Sequence, residues 1–381
     1  MTSRRGVLKL IGGGVVLAAA GAGGFVALNQ PSRAAREAWR TAGRQTELRR
    51  RFLSYALLAP NPHNRQPWLV QLDDNDALTL YVDLERRLPA TDPFDRQIVI
   101  GCGAFLELLR LAAAEEGYDA GITMFPEGAP EMSGRLDARP VAHVRFTPGT
   151  AAPDSLFAHV LARHTNREVY EAREVEPEKI AALAAAGTAF GITGHAIGND
   201  QTAEQLRDLT WRGHERESLT AHTMQESIDL LRIGPDETNQ HRDGIALEGP
   251  LMGVAKLAGA MSPEALGDPN SVAFKQGLDM YRPMAVSARA FAWLTNDGAS
   301  REGQLAAGRA YLRLTLEAAA HGLAVHPWSQ ALQEYPEIAD LYTEVHDLIG
   351  GGERLQMLVR VGYAKPVGPA PRRGLDAHMM S

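Results

Sequence analysis

The stretch APNPHNRQPW, residues 59–68, decides the fold prediction because it joins a predicted helix to the first predicted strand. The helix is expected to stop at Pro60, and the alternating residues from Trp68 onward are typical of a strand. Three prolines restrict the connecting loop to few conformations. The loop carries the amide and imidazole groups of Asn61, His63, Asn64 and Gln66. The hydrogen-bond donors and acceptors of these groups suit the edge of a heteroaromatic ring. A stiff turn whose polar side chains satisfy the local backbone is the alternative.

The segments that follow alternate between strand and helix patterns. Strands are predicted at 68–72, 78–82, 122–125, 141–146 and 192–196, with a helix over 95–117 and a second region starting near Leu156. The first two strands form a hairpin around a DDND turn. These elements predict an α+β fold with sheets flanked by helices. We expect the first half to span residues 31–150 and the second half residues 151–381.

A weak internal repeat appears when Gly103–Gly117 is aligned with Gly308–Gly322. Six of the fifteen positions are identical, and both stretches are predicted helices closed by glycine. Alanine and leucine recur by chance in helices, so the match favours two pseudo-symmetric copies of one unit without proving them. Residues 247–280 are rich in glycine, proline and small apolar residues, interrupt the second copy, and are predicted to cover a pocket as a lid-like insertion.

The amino-terminal residues predict export. Residues 3–9 read SRRGVLK and an apolar run from Leu10 to Leu28 follows, which indicates a twin-arginine (Tat) signal over residues 1–30. About twenty apolar residues also suffice to span a bilayer, so residues 7–28 are expected either to be cleaved or to remain as a membrane tether. The Tat export machinery is therefore an expected partner. The mature protein is expected in the periplasm or on the outer face of the cytoplasmic membrane.

Charge and cysteine content exclude several function classes. The formal net charge of −7 includes three basic residues within the first nine, so the rest of the chain carries −10. A body this acidic repels phosphates, so no nucleic-acid partner is expected. The only cysteine, Cys102, excludes an internal disulfide and a thiolate zinc site. Because Cys102 sits beside small residues at the start of an apolar helix, it is interpreted as a packing residue.

Two further groups suit a phosphate. In RHTNR, residues 163–167, two arginines four residues apart flank a hydroxyl, and such a group can grip a phosphate through bidentate hydrogen bonds. The same spacing is common on solvated surfaces. The last predicted strand, 359–364, is followed by Arg372 and Arg373, which would close the same site. A frayed basic tail is the alternative.

In order and kind, these motifs resemble the nitroreductase superfamily, most closely its Acg-like branch of FMN-binding oxidoreductases. The resemblance covers most of the chain after residue 45, and it includes the HPWSQ stretch at 326–330. It implies that FMN is the cofactor and that its phosphate and ribityl chain are held by Arg163 and Arg167 with Arg372 or Arg373. The other implied flavin contacts are Thr165, Asn166, Asn61, His63, Asn64, Gln66, Pro327, Trp328 and Ser329.

The same resemblance bears on site number and assembly. Family members are usually homodimers with the flavin at the interface, whereas this branch combines both pseudo-subunits in one chain. Each motif occurs once here, so one flavin site per chain is expected, in a monomer or a homodimer. Asn61 and Thr165 stand where serine is usual in the family.

The implied activity is an FMN-dependent oxidoreductase acting outside the cytoplasm on a quinone, nitroaromatic or similar flat acceptor, with the chemistry on the flavin. NAD(P)H is scarce outside the cytoplasm, so a quinol or a redox protein is the expected electron donor. The alternative is a non-catalytic protein of the same fold that binds or sequesters a flavin or another ligand. A metallohydrolase built on Glu317, His321 and His326 has little support, because a glycine and a strand pattern separate the two histidines.

Overall fold

The computed structural model describes residues 29–74, 76–149, 151–298 and 300–380. The predicted Tat signal and tether lie outside the described residues, except for positions 29 and 30. The described α-helices are α1 Glu37–Thr41, α2 Leu48–Ala56, α3 Arg96–Glu115, α4 Pro177–Gly187, α5 Gln201–Leu219, α6 Ala221–Asp229, α7 Pro235–His241, α8 Pro250–Leu257, α9 Pro263–Gly267, α10 Val272–Val286, α11 Arg301–Ala320 and α12 Ala339–Ile349.

The strands of the described chain form two antiparallel four-stranded sheets and one short parallel pair. The strands are β1 Trp68–Asp73, β2 Ala77–Val82, β3 Tyr118–Met124, β4 Ala142–Pro148, β5 Thr193–Ile197, β6 Leu231–Ile233, β7 Ile245–Leu247, β8 Ala290–Asn296, β9 Ala324–Pro327 and β10 Arg354–Gly362. The sheet orders are β1-β2-β4-β3 and β5-β8-β10-β9, and β6 pairs with β7. Helix and sheet are therefore mixed as an α+β fold predicts.

Both large sheets follow one plan. In each, the first two strands pair antiparallel, a long helix follows the second strand, and the last strand lies between the second and the third. The predicted hairpin is present as β1 and β2, which pair Trp68 with Val82 and Asp73 with Ala77. Its buried residues include Trp68 and Val70, which alternate on one face of β1 as the period-two pattern requires.

The long helices α3 and α11 pack against each other at the centre of the molecule. Glu107 of α3 is fully buried, and its carboxylate accepts hydrogen bonds from Arg309 at 3.0 and 3.1 Å and from Arg313 at 3.2 Å. Helix α3 is the one described helix that is long and apolar enough to cross a membrane, and 89% of its apolar window is buried in the fold. It therefore serves here as a core helix.

The second sheet carries an insertion that the first lacks. Between β5 and β8, residues 198–289 contain α5 to α10 together with β6 and β7, whereas β1 and β2 are joined by a short turn. The predicted covering segment, residues 247–280, lies inside this longer insertion. Sequence composition singled out residues 247–280, which contain α8, α9 and most of α10, and did not assign the preceding α5 to α7 to the same insertion.

The two ends of the described chain pack together. The Trp39 indole Nε1 donates to the Ala370 carbonyl at 2.9 Å, and the Arg372 amide donates to the Ala35 carbonyl at 2.8 Å. Further along, the Met380 amide donates to the Val70 carbonyl at 2.8 Å. Residues 363–380 therefore run from the second sheet back over the first, towards the loop at 59–68.

Candidate functional site

The loop at 59–68 has a constrained backbone. His63, Asn64 and Gln66 have positive φ angles of 45°, 52° and 50°. Left-handed conformations cost about 1 kcal/mol or more for residues with a Cβ, so three within four residues need support from their surroundings. Strain of this kind clusters at ligand-binding sites, and the loop is a candidate on that ground.

The amide side chains of this loop are engaged by the chain itself. Asn61 Oδ1 accepts from the Gln66 amide at 2.7 Å, and Gln66 Nε2 donates to the Arg242 carbonyl at 2.9 Å. Gln66 Oε1 accepts from the Arg373 amide at 2.9 Å. These groups were predicted to face a heteroaromatic ring, but here they fasten the loop to the insertion and to the carboxyl-terminal segment.

Asn64 makes the same kind of contact. Its Nδ2 donates to the Pro371 carbonyl at 3.0 Å, and its Oδ1 accepts from Arg372 Nη1 at 2.6 Å. The Gly244 amide of the insertion donates to the Asn64 carbonyl at 3.2 Å. Asn64 therefore holds the segments on both sides of the loop, and both of its side-chain polar atoms have partners.

Arg372 closes the end of helix α2. Its Nε and Nη2 donate to the carbonyls of Leu57, Leu58 and Ala59 at 3.0, 3.3 and 3.1 Å. These carbonyls lie at and just beyond the carboxyl-terminal end of α2, where the helix dipole favours a cation. Burial, with the nearby charge of Arg163, lowers the pKa of Arg372 to about 9. No ion pair joins Arg372 to a carboxylate within the described residues.

Arg163 lies beside Arg372 and likewise has no carboxylate partner within the described residues. Its side chain is buried, and its Nη2 donates to the Leu58 carbonyl at 3.2 Å, the carbonyl that Arg372 also uses. Burial lowers the pKa of Arg163. Within the described chain no carboxylate pairs with this guanidinium. A buried cation without a counterion is costly unless a ligand supplies the charge.

A cavity of about 270 Å³ adjoins Arg163. It is enclosed by residues 162–166, helix α11, the residues leading into β9, and residues 364–367, and no acidic residue lines it. Tyr311 and Thr315 of α11 face it. Burial raises the pKa of Tyr311 to about 12, so its hydroxyl keeps its proton at neutral pH. The cavity is therefore positively charged and offers hydroxyl donors, which suits an anion.

The backbone of the RHTNR group is fixed along strand β9. Thr165 forms a parallel bridge with Val325, and the Asn166 amide donates to the Val325 carbonyl at 2.9 Å. The buried Asn166 side chain donates to the Lys365 carbonyl at 2.8 Å. Thr165 lines the cavity. Asn166 also lines the cavity, but its side-chain amide is used to position the loop, whereas Thr165 presents a hydroxyl there.

Arg167, in contrast, is exposed. Its guanidinium has no hydrogen bond or ion pair to any residue the structure describes. Burial lowers the pKa of His63 to about 4 and lowers the pKa of His326 well below its ordinary value, so both side chains are neutral. The positive charge of Arg167 lowers both pKa values further. Arg167 is therefore close to His63 in the loop at 59–68 and to His326 in strand β9. A free cation at this position suits a second negatively charged contact.

His326 and Arg360 form a buried pair that sequence analysis did not assign to the flavin site. Arg360 Nε donates to His326 Nδ1 at 3.1 Å. Because a guanidinium only donates, Nδ1 is the acceptor and the imidazole proton is on Nε2. Arg360 also lies 3.9 Å from the centre of the Tyr170 ring. The available signal was a charged residue in the middle of an apolar strand, which is rare unless it has a role.

The remaining predicted residues are dispersed. Trp328 is buried, and its Nε1 donates to the Thr210 carbonyl at 2.9 Å, so the indole is directed to the insertion. Pro327 ends β9, and Ser329 precedes a short 3₁₀ turn. Arg373 donates to the Ala377 carbonyl at 2.8 Å, and its Nη1 is buried without a partner in the described chain. His63 Nδ1 and His164 Nε2 are likewise buried and unpartnered there.

The described residues contain no group of three His, Cys, Asp or Glu side chains that could hold a metal. Glu317 Oε1 and His321 Nε2 are 3.0 Å apart on α11, but His326 is occupied by Arg360. Burial raises the pKa of the Cys102 thiol to about 12. Cys102 is therefore inert at neutral pH, which agrees with a packing role.

An aspartate anchors the insertion beside the loop. Asp243 is buried, and its Oδ2 lies 3.0 Å from Arg65 Nη1 and 2.7 Å from Arg86 Nη1. Its Oδ1 lies 3.0 Å from Arg232 Nη2. One carboxylate thus joins two arginines of the first half to one of the insertion. The insertion is held against the loop at 59–68 by charge.

Comparison with known proteins points to one group. The sequence is 28% identical over 348 residues to the "Putative NAD(P)H nitroreductase Rv3131" of Mycobacterium tuberculosis, which covers 86% of this chain and 89% of that protein. It is 27% identical over 202 residues to the "Probable NAD(P)H nitroreductase PigM" of a Serratia strain, covering 51% of this chain and 54% of that protein. No family model matches the chain.

A solved structure is similar over part of the chain. It is the FMN-dependent nitroreductase NfnB of Mycobacterium smegmatis in complex with NADPH, with a TM-score of 0.34 and 20% identity over 56% of this chain and 92% of that chain.

Proposed function

We propose that this chain, a relative of the NAD(P)H nitroreductases of the nitroreductase superfamily, is an FMN-dependent oxidoreductase with one flavin site per chain. The observation that carries the proposal is the cavity at Arg163, which is positively charged and free of acidic residues. It lies at the RHTNR group, which the motif order assigns to the flavin phosphate. FMN is the cofactor that this combination of motif and charge favours.

The residues around the cavity fit the phosphate end of FMN. A phosphate would supply the negative charge that the buried Arg163 lacks, and Thr165 and Tyr311 offer hydroxyl donors. Arg167 would add the second cation. Arg372 would contribute positive charge without contacting the phosphate, because its donors are already bound to the carbonyls at the end of helix α2. Arg373 packs towards Gln66 and Ala377 and is proposed to position the loop at 59–68.

The cavity is small for a complete cofactor. Its volume of about 270 Å³ lies just below the range of roughly 300–1,000 Å³ typical of small-molecule pockets. Flavin binding therefore requires the segments over the cavity to shift. The segments that line the cavity are residues 162–166, α11, residues 322–325 and residues near 364–367, so we propose that one of these moves to admit the flavin. A lid at 247–280 that fills the pocket would favour the alternative, a non-catalytic protein of the same fold that binds or sequesters a flavin or another ligand.

Bound FMN would accept and pass on electrons or hydride, and the protein would orient it and set the local charge. His326 carries its proton on Nε2 and is neutral, so it offers one donor without adding a charge. His63 is neutral at physiological pH as well, and its Nδ1 is unpartnered in the described chain. No protein nucleophile is required.

The proposed setting is outside the cytoplasm, after export by the Tat machinery or on a tether through residues 7–28. There the acceptor is proposed to be a quinone, a nitroaromatic or a similar flat molecule, and the donor a quinol or a redox protein. The relatives' names mention NAD(P)H, so both donor classes need direct comparison. The halves at 31–150 and 151–381 are proposed to derive from a duplication, which the shared strand order of the two sheets supports.

The test is to purify the full chain from cells, record its visible absorption, and identify any ligand that denaturation releases. About one FMN per chain, reducible by a quinol, would support the proposal. Rapid reduction by NADPH with none by quinols would contradict the proposed donor. A colourless, folded protein that also fails to bind added FMN would rule out the flavoenzyme.

A further inference from the structure

Helix α8 and the turn after it expose an apolar surface. Leu251 and Leu257 are 57% and 80% exposed. Between Pro250 and Ser262 the only charged residue is Lys256, and its ammonium is bound to the Glu237 carboxylate at 2.6 Å. The residues after Leu257 are alanine, glycine, alanine and methionine. An exposed apolar segment of this length marks an interaction surface in a soluble domain.

The chain enters the described structure at this surface. The Gly249 amide, directly before α8, donates to the Asn29 carbonyl at 3.0 Å. The Asn29 side chain lies against Gly253 of α8, where an added Cβ would be 2.1 Å from its Oδ1. The Ser32 amide donates to Glu248 at 2.9 Å. The apolar run that ends at Leu28 is therefore followed immediately by a residue fixed to α8.

We propose that α8 and residues 258–262 lie in the lipid surface of the membrane that holds the apolar run. A tether that ends one residue before its attachment to α8 leaves no linker, so it brings this face to the bilayer. Apolar side chains of interfacial helices enter the boundary between headgroups and acyl chains. The exposed Arg33 and Arg44 follow the run and suit anionic headgroups.

Lipid is favoured over a second copy of the chain by position. A protein partner would not require the exposed leucines to lie where the apolar run ends, whereas a membrane does. This inference rests on the proposed tether at residues 7–28 and not on the flavin chemistry. Its failure and the failure of the oxidoreductase proposal are therefore separable.

The chain offers a clean labelling experiment. Cys102 is fully buried, so one new surface cysteine takes a thiol-reactive fluorophore selectively. The test variant is Leu257→Cys. The matched control is Ala185→Cys, an exposed position on α4, which packs against β5 and α11. Both full-length variants are placed in vesicles of anionic phospholipid whose acyl chains carry a nitroxide quencher.

We expect the label at 257 to be quenched at least about twofold more strongly by the lipid nitroxide than the label at 185, with the order reversed for aqueous iodide. Equal quenching at the two positions would overturn the proposal, as would a full chain that does not associate with the vesicles. Shielding at 257 that persists in detergent and rises with protein concentration would assign the surface to a second copy instead. Flavin absorbance of the same samples reports separately on the cofactor.

Discussion

Gly103 and Gly308 face each other where the two central helices cross. A Cβ added to Gly103 would lie 2.9 Å from the Gly308 Cα and 2.0 Å from the Leu305 carbonyl oxygen. A Cβ added to Gly308 would lie 2.8 Å from the Gly103 Cα and 1.9 Å from the Ile100 carbonyl oxygen. The obstacles are backbone atoms, which cannot turn aside, so the two helices approach only because both residues lack side chains.

Gly103→Ala and Gly308→Ala should therefore each destabilise the protein. Overpacking of a core typically costs about 1–3 kcal/mol, and rigid obstacles favour the upper end of that range. Urea unfolding at constant pH measures the loss. Gly277→Ala is the control, since α10 leaves open space there and alanine favours a helix by up to about 1 kcal/mol. Unchanged midpoints for the two crossing variants would show that α3 and α11 are farther apart than described.

Arg163 and Thr165 should contribute unequally to FMN affinity. Arg163→Gln removes a buried charge next to the proposed phosphate, and loss of charge-assisted hydrogen bonds predicts about a 30-fold weaker Kd. Thr165→Val keeps the shape and should weaken binding about fivefold. Arg40→Gln, at an exposed site, is the control. Flavin fluorescence titration of the apoprotein gives the Kd of all three variants. Equal affinities would show that the FMN phosphate does not bind in this cavity.

Asp243→Asn should loosen the insertion. Three guanidiniums would then face one another without the carboxylate, and removing one partner of a buried ion pair costs about 3–5 kcal/mol. Hydrogen exchange should quicken at the amide of Gly244, which binds the Asn64 carbonyl. Asp208→Asn breaks an exposed pair with Arg212 and should change stability by less than about 1 kcal/mol. Slow exchange at Gly244 in the variant would show that other contacts hold the insertion.

The buried carboxyl of Glu217 on α5 predicts a pH-dependent effect. Burial raises the pKa of Glu217 from its ordinary value of 4.5 to about 7. Between these values the folded state binds the extra proton, so the wild type loses stability as pH rises through this window. Glu217→Gln does not titrate and escapes the loss.

The stability of Glu217→Gln relative to wild type should therefore increase by about 3 kcal/mol from pH 4.5 to pH 7.5, because one pKa unit corresponds to about 1.4 kcal/mol. Chemical unfolding at several pH values measures it. Glu204→Gln, at an exposed position of the same helix, should show no such trend. A pH-independent difference for Glu217→Gln would mean that its carboxyl is hydrated.

Local patterns predicted the fold well. The β1–β2 hairpin, the long helix after it and the strands near residues 122, 141 and 192 appear where period and turn signals indicated them. The glycine pair that aligned the repeat proved to be the helix crossing. The insertion was underestimated because its bounds depend on which strands pair, and β5 meets β8 across more than ninety residues.

The site was harder to predict, for a physical reason. From the sequence alone, the side-chain amides of Asn64 and Gln66 are available to a ligand. In the structure they are bound by residues about 300 positions away, namely Pro371, Arg372 and Arg373. Sequence cannot reveal which distant backbone will use a given amide. Sequence analysis did not identify Tyr311 as a residue of the site. The repeat alignment pairs Tyr311 with Leu106, and this replacement of an apolar side chain by one with a hydroxyl was the available signal for a cavity in the second half.

The attachment of the carboxyl-terminal segment to the loop at 59–68 also sets an order of events during synthesis. The loop acquires the carboxyl-terminal partners of Asn64 and Gln66 only when residues 371–373 have left the ribosome, after almost the whole chain has been made. A nascent chain, or one truncated before residue 370, therefore keeps an unfinished site and leaves the Trp39 indole without its acceptor. Completion of translation and completion of the site therefore coincide.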